Sequence, residues 1–128
     1  MSKNDNQRKI LIVDDEKDMR EILGDRFSAE GFPVLLAGDG KEGLTLAFEN
    51  HPSAILLDIA MPNMDGLQML EKLRNDNWGK DASVVLLTNI SDTNKIEEAR
   101  KIGIQAYMLK AEWKMEQIVD QVKKIIHN

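Results

Sequence analysis

Ile10-Leu11-Ile12-Val13-Asp14-Asp15 is a run of four apolar residues ended by two carboxylates, and Ala54-Ile55-Leu56-Leu57-Asp58 repeats the pattern. Val84-Val85-Leu86-Leu87 ends at Thr88, and Ala106-Tyr107-Met108-Leu109 ends at Lys110. Short apolar runs without alternation mark strands of a parallel sheet that is covered on both faces. In such sheets ligands gather beyond the carboxyl ends of the strands. The four junctions therefore predict three carboxylates, one hydroxyl and one ammonium along a single edge.

Working outward from these runs, helical patterns fill the gaps. Asp15 to Glu30 carries Met19, Ile22, Leu23 and Phe27 at helical spacing, and Gly31 stops it. Val34 to Ala37 reads as another strand. Gly40 to Asn50 sets Leu44, Ala47 and Phe48 on one face, with His51-Pro52 as the stop. Asp65 is an N-cap with Gln68 three residues on, opening a helix over Leu67 to Asn75. Asp92 to Ile102 ends at Gly103. Trp113 to Ile126 shows Met115, Ile118, Val119, Val122, Ile125 and Ile126, an amphipathic helix. Five strands alternating with five helices predict an α/β, doubly wound parallel sheet.

The chain has 128 residues, which fits one domain able to bury roughly two-thirds of its unfolded surface. No stretch approaches the roughly 20 apolar residues that span a bilayer, and no signal peptide is visible. No membrane association is expected, and a soluble cytoplasmic protein is the default reading. Without cysteine there is no disulfide framework and no thiolate metal site. The net charge of −5, from 22 acidic and 17 basic residues, repels nucleic acid, so no direct binding to it is expected. The few aromatics are too scattered for a base-stacking surface.

Asp14, Asp15 and Asp58 converge if the first and third strands are neighbours. Three close carboxylates repel one another and call for a counter-charge. Mg²⁺ suits a site that offers one or two carboxylates plus phosphate oxygens. Lys110 adds a positive charge and Thr88 a hydroxyl that donates to an oxyanion. That complement suits phosphoryl transfer, which is mostly positioning and charge neutralisation. A carboxylate nucleophile gives an aspartyl phosphate. Asp58 is the candidate, since the paired Asp14 and Asp15 are better placed to hold a metal. A lone Asp at a strand end is usually a cap or turn residue, and a lone Lys a surface charge. Four such junctions on one edge, chemically matched, outweigh that reading.

The whole pattern resembles the receiver domain of bacterial two-component response regulators, and in layout the single-domain chemotaxis type. The match runs over about residues 9–126. It includes Asp14-Asp15, then Asp58-Ile59-Ala60-Met61-Pro62 with Asp65-Gly66, then Thr88, Tyr107 and Lys110. Ala37-Gly38-Asp39-Gly40-Lys41-Glu42-Gly43-Leu44 also looks like the family's second strand and helix junction. The resemblance implies a flavodoxin-like fold of strand order 2-1-3-4-5, with a receiver domain over 9–128 after a frayed tail at 1–8. It implies that Asp58 is the phosphoacceptor, fed by the phosphohistidine of a sensor histidine kinase or a phosphotransfer protein. Asp15, Asp58 and the backbone carbonyl of Ala60 would ligate Mg²⁺ directly, with Asp14 acting through water. Lys110 and Thr88 would hold the phosphoryl oxygens, and Thr88 with Tyr107 would form the switch. A protein target would dock on the face of the fourth helix, fifth strand and fifth helix; Lys95, Glu98 and Lys101 read equally as its rim or as an ordinary solvated helix face. The implied state is a monomer or weak homodimer.

Three positions depart from that pattern or tune it. The residue after the switch threonine is usually small, whereas Asn89 is expected to narrow the path to the acceptor. Ile90 is expected to screen attacking water. Ala111 replaces a proline often preceded by a cis bond. A cis bond before a non-proline residue costs about 3–4 kcal/mol, so a trans Lys110–Ala111 bond and a rebuilt loop into Trp113 are expected. A phosphatase of the haloacid dehalogenase type would need a second aspartate where Ala60 stands, and a flavin carrier would find Asp14-Asp15-Glu16 repelling its phosphate. The chain thus reads as a switch, not an enzyme acting on foreign substrates. The competing reading is a pseudo-receiver that binds protein without phosphorylation.

Overall fold

Five parallel strands form one sheet in the order β2-β1-β3-β4-β5, where β1 is Ile10–Val13, β2 Val34–Ala37, β3 Ala54–Leu57, β4 Val84–Thr88 and β5 Ala106–Leu109. The fold is therefore the α/β, doubly wound, flavodoxin-like one. The computed structural model describes residues 8–89 and 93–127. The expectations for Ile90 and for a helix start at Asp92 lie outside the described residues. So does the frayed tail, except for Arg8, whose guanidinium donates to the Ile126 carbonyl at 3.2 Å.

The helices are α1 (Lys17–Ala29), α2 (Gly40–Asn50), α3 (Gly66–Arg74), α4 (Thr93–Ile102) and α5 (Met115–His127). Side chains alternate across a strand, so each strand feeds two cores. Leu11, Val13, Ile55, Leu57, Val84 and Leu86 pack with Leu44, Met69, Leu73 and Ile96 beneath α2, α3 and α4. Ile10, Ile12, Leu56, Val85, Leu87 and Met108 pack with Leu23, Phe27, Ile118 and Val122 beneath α1 and α5. Burial on both faces is why these strands read as continuous apolar runs.

Register sets the site. Ile12 pairs with Leu56 and Val13 with Leu57, so one step further Asp14 and Asp58 leave adjacent strands side by side. The Asp58 N–H donates to the Val13 carbonyl at 3.0 Å, which fixes the end of β3 against β1.

Several helix ends differ from the sequence reading for local reasons. α1 begins at Lys17 with Glu16 as its N-cap, because the Asp14 carboxylate takes the Glu16 N–H at 2.9 Å and holds the preceding turn open. Ile22 is 49% exposed and Phe48 39%: both lie just beyond the buried stripe of their helices. α3 starts at Gly66, one residue before the predicted Leu67, behind a capping box in which Asp65 accepts from the Gln68 N–H at 2.9 Å. α5 starts at Met115 rather than Trp113, which lies in the turn after β5 and packs on the α1/α5 core. Gly31 and Gly103 end α1 and α4 at positive φ, 95° and 124°, conformations that favour glycine. A short 3₁₀ turn at Gly79–Asp81, which the sequence patterns did not flag, leads into β4.

Candidate phosphoacceptor site

At the carboxyl edge of the sheet the Lys110 ammonium sits among three carboxylates. Its Nζ lies 2.6 Å from Asp14 Oδ2, 2.8 Å from Glu16 Oε1 and 3.1 Å from Asp58 Oδ2. The Lys110 side chain is only 4% exposed, because it runs from the end of β5 across β4 to reach the β1 and β3 edges. Its backbone N–H donates to the Thr88 carbonyl at 2.9 Å, tying the β5 exit to β4. Burial alone lowers the Lys110 pKa. Hydrogen bonds to Asp14 and Glu16, with the charges of Asp58 and Asp14, outweigh it and raise the value above the ordinary lysine range. The ammonium is therefore charged at neutral pH.

Burial pushes the Asp14 carboxyl up, against hydrogen bonds from Lys110 and the Glu16 N–H that pull it down. The net direction is upward despite an ammonium 2.6 Å away, since the carboxylate is buried and Asp58 adds a like charge. Asp14 is also anchored through its backbone: its N–H donates to the Ala37 carbonyl and its carbonyl accepts from Arg20.

Asp58 has one oxygen satisfied and one not. Oδ2 receives Lys110, whereas Oδ1 is buried with no hydrogen-bond partner. Such an atom ordinarily costs about 1–3 kcal/mol and calls for an explanation. A cation binding here supplies one. Oxygens of Asp14, Glu16 and Asp58 lie within 4.8 Å of one another, and three carboxylates against one ammonium leave a formal excess of two negative charges. The buried carboxylates of Asp14 and Asp58, the orphaned Oδ1 of Asp58 and the excess charge together fit a divalent cation, while the half-exposed Glu16, held by Lys110, adds negative field from the rim.

The loop that carries Asp58 is held by contact. A Cβ on Gly66 would lie 2.1 Å from the Asp58 carbonyl oxygen, so only glycine lets α3 start this close to Asp58. The Gly66 N–H donates to the Ile59 carbonyl at 2.8 Å, closing the turn over Ala60 and Pro62.

Of the residues singled out in the sequence, Asp14, Asp58 and Lys110 meet directly. Thr88 ends β4, fully buried, on the adjacent strand. Asp15 is exposed on the turn and stands outside the three-carboxylate group, in which Glu16 takes part instead. Ala60 is exposed on the loop after Asp58, and Tyr107 is 42% exposed on β5. Lys95, Glu98 and Lys101 are exposed on α4. The Lys110–Ala111 bond is trans, as expected, with no cis bond among the described residues. Glu16 is the residue that sequence reasoning missed. Its one visible signal was position, two residues after Asp14 at the start of a helix.

Comparison with known proteins agrees with this geometry. The family model for the response regulator receiver domain matches residues 10–123. The sporulation initiation phosphotransferase F of Bacillus subtilis is 30% identical over 118 residues, covering 92% of this chain and 93% of that protein. A probable transcriptional regulator, ycf27, of Cyanophora paradoxa is 36% identical over 105 residues. The match spans 82% of this chain but only 43% of that relative's length. Among solved structures, a two-component response regulator from Clostridium difficile superposes with a TM-score of 0.86 at 28% identity, covering 94% of this chain and 97% of that one. The Francisella response regulator 1452 receiver domain gives 0.84 at 28%, with the same coverage.

The chain belongs to the response regulator receiver family, and its buried acidic site is of the kind these domains use as phosphoacceptor and cation site. Membership supports a signalling-switch role for this receiver domain, and family identity implies partnership with histidine kinases or phosphotransfer proteins. No helix among the described residues is long and apolar enough to cross a membrane.

Proposed function

We propose that this protein is a receiver, residues 9–128, that takes a phosphoryl group from a phosphohistidine onto Asp58 in an Mg²⁺-dependent reaction. The observation that carries this reading is the divided state of the Asp58 carboxylate, with Oδ2 on Lys110 and Oδ1 buried and unpartnered. A carboxylate oxygen attacks phosphorus, the P–N bond of the donor breaks, and the leaving imidazole keeps the bonding pair and takes up a proton. Asp15, Asp58 and the Ala60 carbonyl would hold Mg²⁺, with Asp14 acting through water. Bound there, the ion supplies neutralisation of charge on the phosphoryl oxygens.

Lys110 stabilises the aspartyl phosphate by direct charge, and the Thr88 hydroxyl donates to a phosphoryl oxygen. Movement of Thr88 toward that group leaves space that Tyr107, exposed in this state, turns inward to fill. The readout is then a changed surface on α4, β5 and α5, where a protein target docks.

The test is intact mass after incubation with acetyl phosphate and Mg²⁺. One added phosphoryl group in the wild type, absent in Asp58→Ala, supports the assignment. No gain in the wild type leaves phosphorylation by a kinase alone or a phosphorylation-independent binding module, and labelling from a phosphohistidine donor separates the two. Asn89→Ala should speed the same labelling by widening the approach, and an unchanged rate refutes that role for Asn89.

A further inference from the structure

Glu16 caps α1 by position but not by chemistry. It has the extended backbone of an N-cap, φ −82° and ψ 106°, yet its side chain makes no capping hydrogen bond. The carboxylate turns the other way, over the phosphoacceptor. There Oε1 accepts from Lys110 Nζ at 2.8 Å and lies 3.5 Å from the Asn89 side-chain amide, a long contact. The segments leaving β1, β4 and β5 thus meet at one carboxylate above Asp58.

Lys110 has three carboxylate partners, and they are unequal. The side chains of Asp14 and Asp58 are 3% and 7% exposed, whereas that of Glu16 is 52% exposed. Asp14 is further fixed by the Glu16 N–H, and Asp58 by the β3 exit. Only Glu16 can swing into water without stranding a buried charge. A phosphoryl group on Asp58 brings close to two negative charges and competes for the same ammonium.

We propose that Glu16 is a clasp: it occupies Lys110 in the unphosphorylated protein and must let go before Lys110 can engage the incoming phosphoryl group. It is a positioning residue that acts through Lys110. The clasp slows capture of small donors and favours return of the site to its resting arrangement. This rests on Asp58 being the acceptor.

The experiment compares wild type, Glu16→Gln and Glu16→Asp in rate of labelling by acetyl phosphate at saturating Mg²⁺. Mg²⁺ affinity is measured separately, without donor, from backbone amide shifts. Release of an exposed ion pair changes a rate by on the order of threefold, so Glu16→Gln should label about that much faster with Mg²⁺ affinity unchanged. Glu16→Asp keeps the charge but is one methylene too short to reach Lys110, and should label as fast as Glu16→Gln. Equal or slower labelling of Glu16→Gln overturns the clasp. If Glu16→Asp instead matches wild type, the charge merely repels an anionic donor and the clasp is wrong. A large loss of Mg²⁺ affinity in Glu16→Gln makes Glu16 a cation ligand, which also overturns it. A wild type that accepts no phosphoryl group, from acetyl phosphate or a phosphohistidine donor, removes the acceptor reading itself, an outcome visible before any variant is compared.

Discussion

Two cations are drawn into this protein, one at each edge of the sheet, and they are held in opposite ways. Lys110, at the carboxyl edge, faces three carboxylates. Arg74, the last residue of α3, lies at the amino edge and faces backbone carbonyls. Its Nε and a terminal nitrogen reach the Gly103 carbonyl at 3.1 and 2.8 Å, while the other terminal nitrogen reaches Gly79 and Ala82 at 2.8 and 2.7 Å. Those carbonyls belong to the segments that enter β4 and β5. Burial lowers the Arg74 pKa, and the charge of Asp81 opposes it. A guanidinium nevertheless stays protonated at any ordinary pH.

The difference is one of exchangeability. Carbonyl oxygens are part of the chain and cannot be traded for a ligand, so Arg74 rivets loops. Carboxylates carry charge in excess of what one ammonium balances, so the Lys110 cluster can take up further positive charge or exchange a partner. A fixed structural joint and a switch can use the same class of residue, and the partner groups decide which it becomes.

The largest effect that would test this contrast comes from Arg74→Ala. It removes the short bonds to three carbonyls, of which Gly79 still accepts from the Ala82 N–H at 3.2 Å and Ala82 from the Gln105 side chain at 3.5 Å. The cost should be about 2–4 kcal/mol, at about 1–3 kcal/mol for a buried acceptor left unpaired and about 1 for each bond lost from one that keeps a partner. Urea unfolding measures it, and Arg74→Lys should restore less than half, since an ammonium lacks the planar fork. If Arg74→Ala costs less than Lys110→Ala, the rivet reading is wrong.

Next in size is the response to Mg²⁺. At a hundredfold excess over its dissociation constant, a ligand of the folded state adds about 2.7 kcal/mol. That gain should appear in wild type and Arg74→Lys but be largely lost in Asp58→Asn. Equal Mg²⁺ stabilisation of wild type and Asp58→Asn would move the cation elsewhere.

In metal-free buffer, Asp58→Asn should itself raise stability modestly, because it removes one of three carboxylates crowded on a single ammonium. A loss of stability would show that Lys110 already balances the cluster.

The smallest effect belongs to neither cation. Asp39 caps α2, accepting from the Glu42 N–H at 2.9 Å and from Asn63 at 3.0 Å, and these bonds hold its carboxyl below the ordinary 3.8. A depressed folded pKa contributes stability that is present above the unfolded value and lost as pH falls through the folded one. Asp39→Ala should therefore cost about 0.5–1 kcal/mol at neutral pH, and the difference from wild type should vanish in acid. A difference that persists below pH 3 would mean that the cap acts through more than its charge.

The parts of this arrangement that a sequence discloses are those that repeat along it. The runs Ile10–Val13 and Ala54–Leu57 emerge as strands over the same residues, because burial on both faces demands unbroken apolar character. Asp14, Asp58 and Lys110 are legible as strand-end residues once the strands are placed. Glu16 is not, because its importance depends on how three loops separated in sequence meet in space. Arg74 is less legible still: its partners are backbone carbonyls, which every residue possesses and no pattern announces. Ile22 and Phe48 mislead in the other direction, since helical spacing alone does not say where the buried stripe ends.

The pairing of Val13 with Leu57, one step before Asp14 and Asp58, also limits how this chain can be lengthened or shortened. Deleting one residue inside β1 would present Asp14 one position out of step and turn the remaining β1 side chains to the wrong face. Core and site are thus written in one reading frame. Within the strands the chain admits substitutions and no change of length.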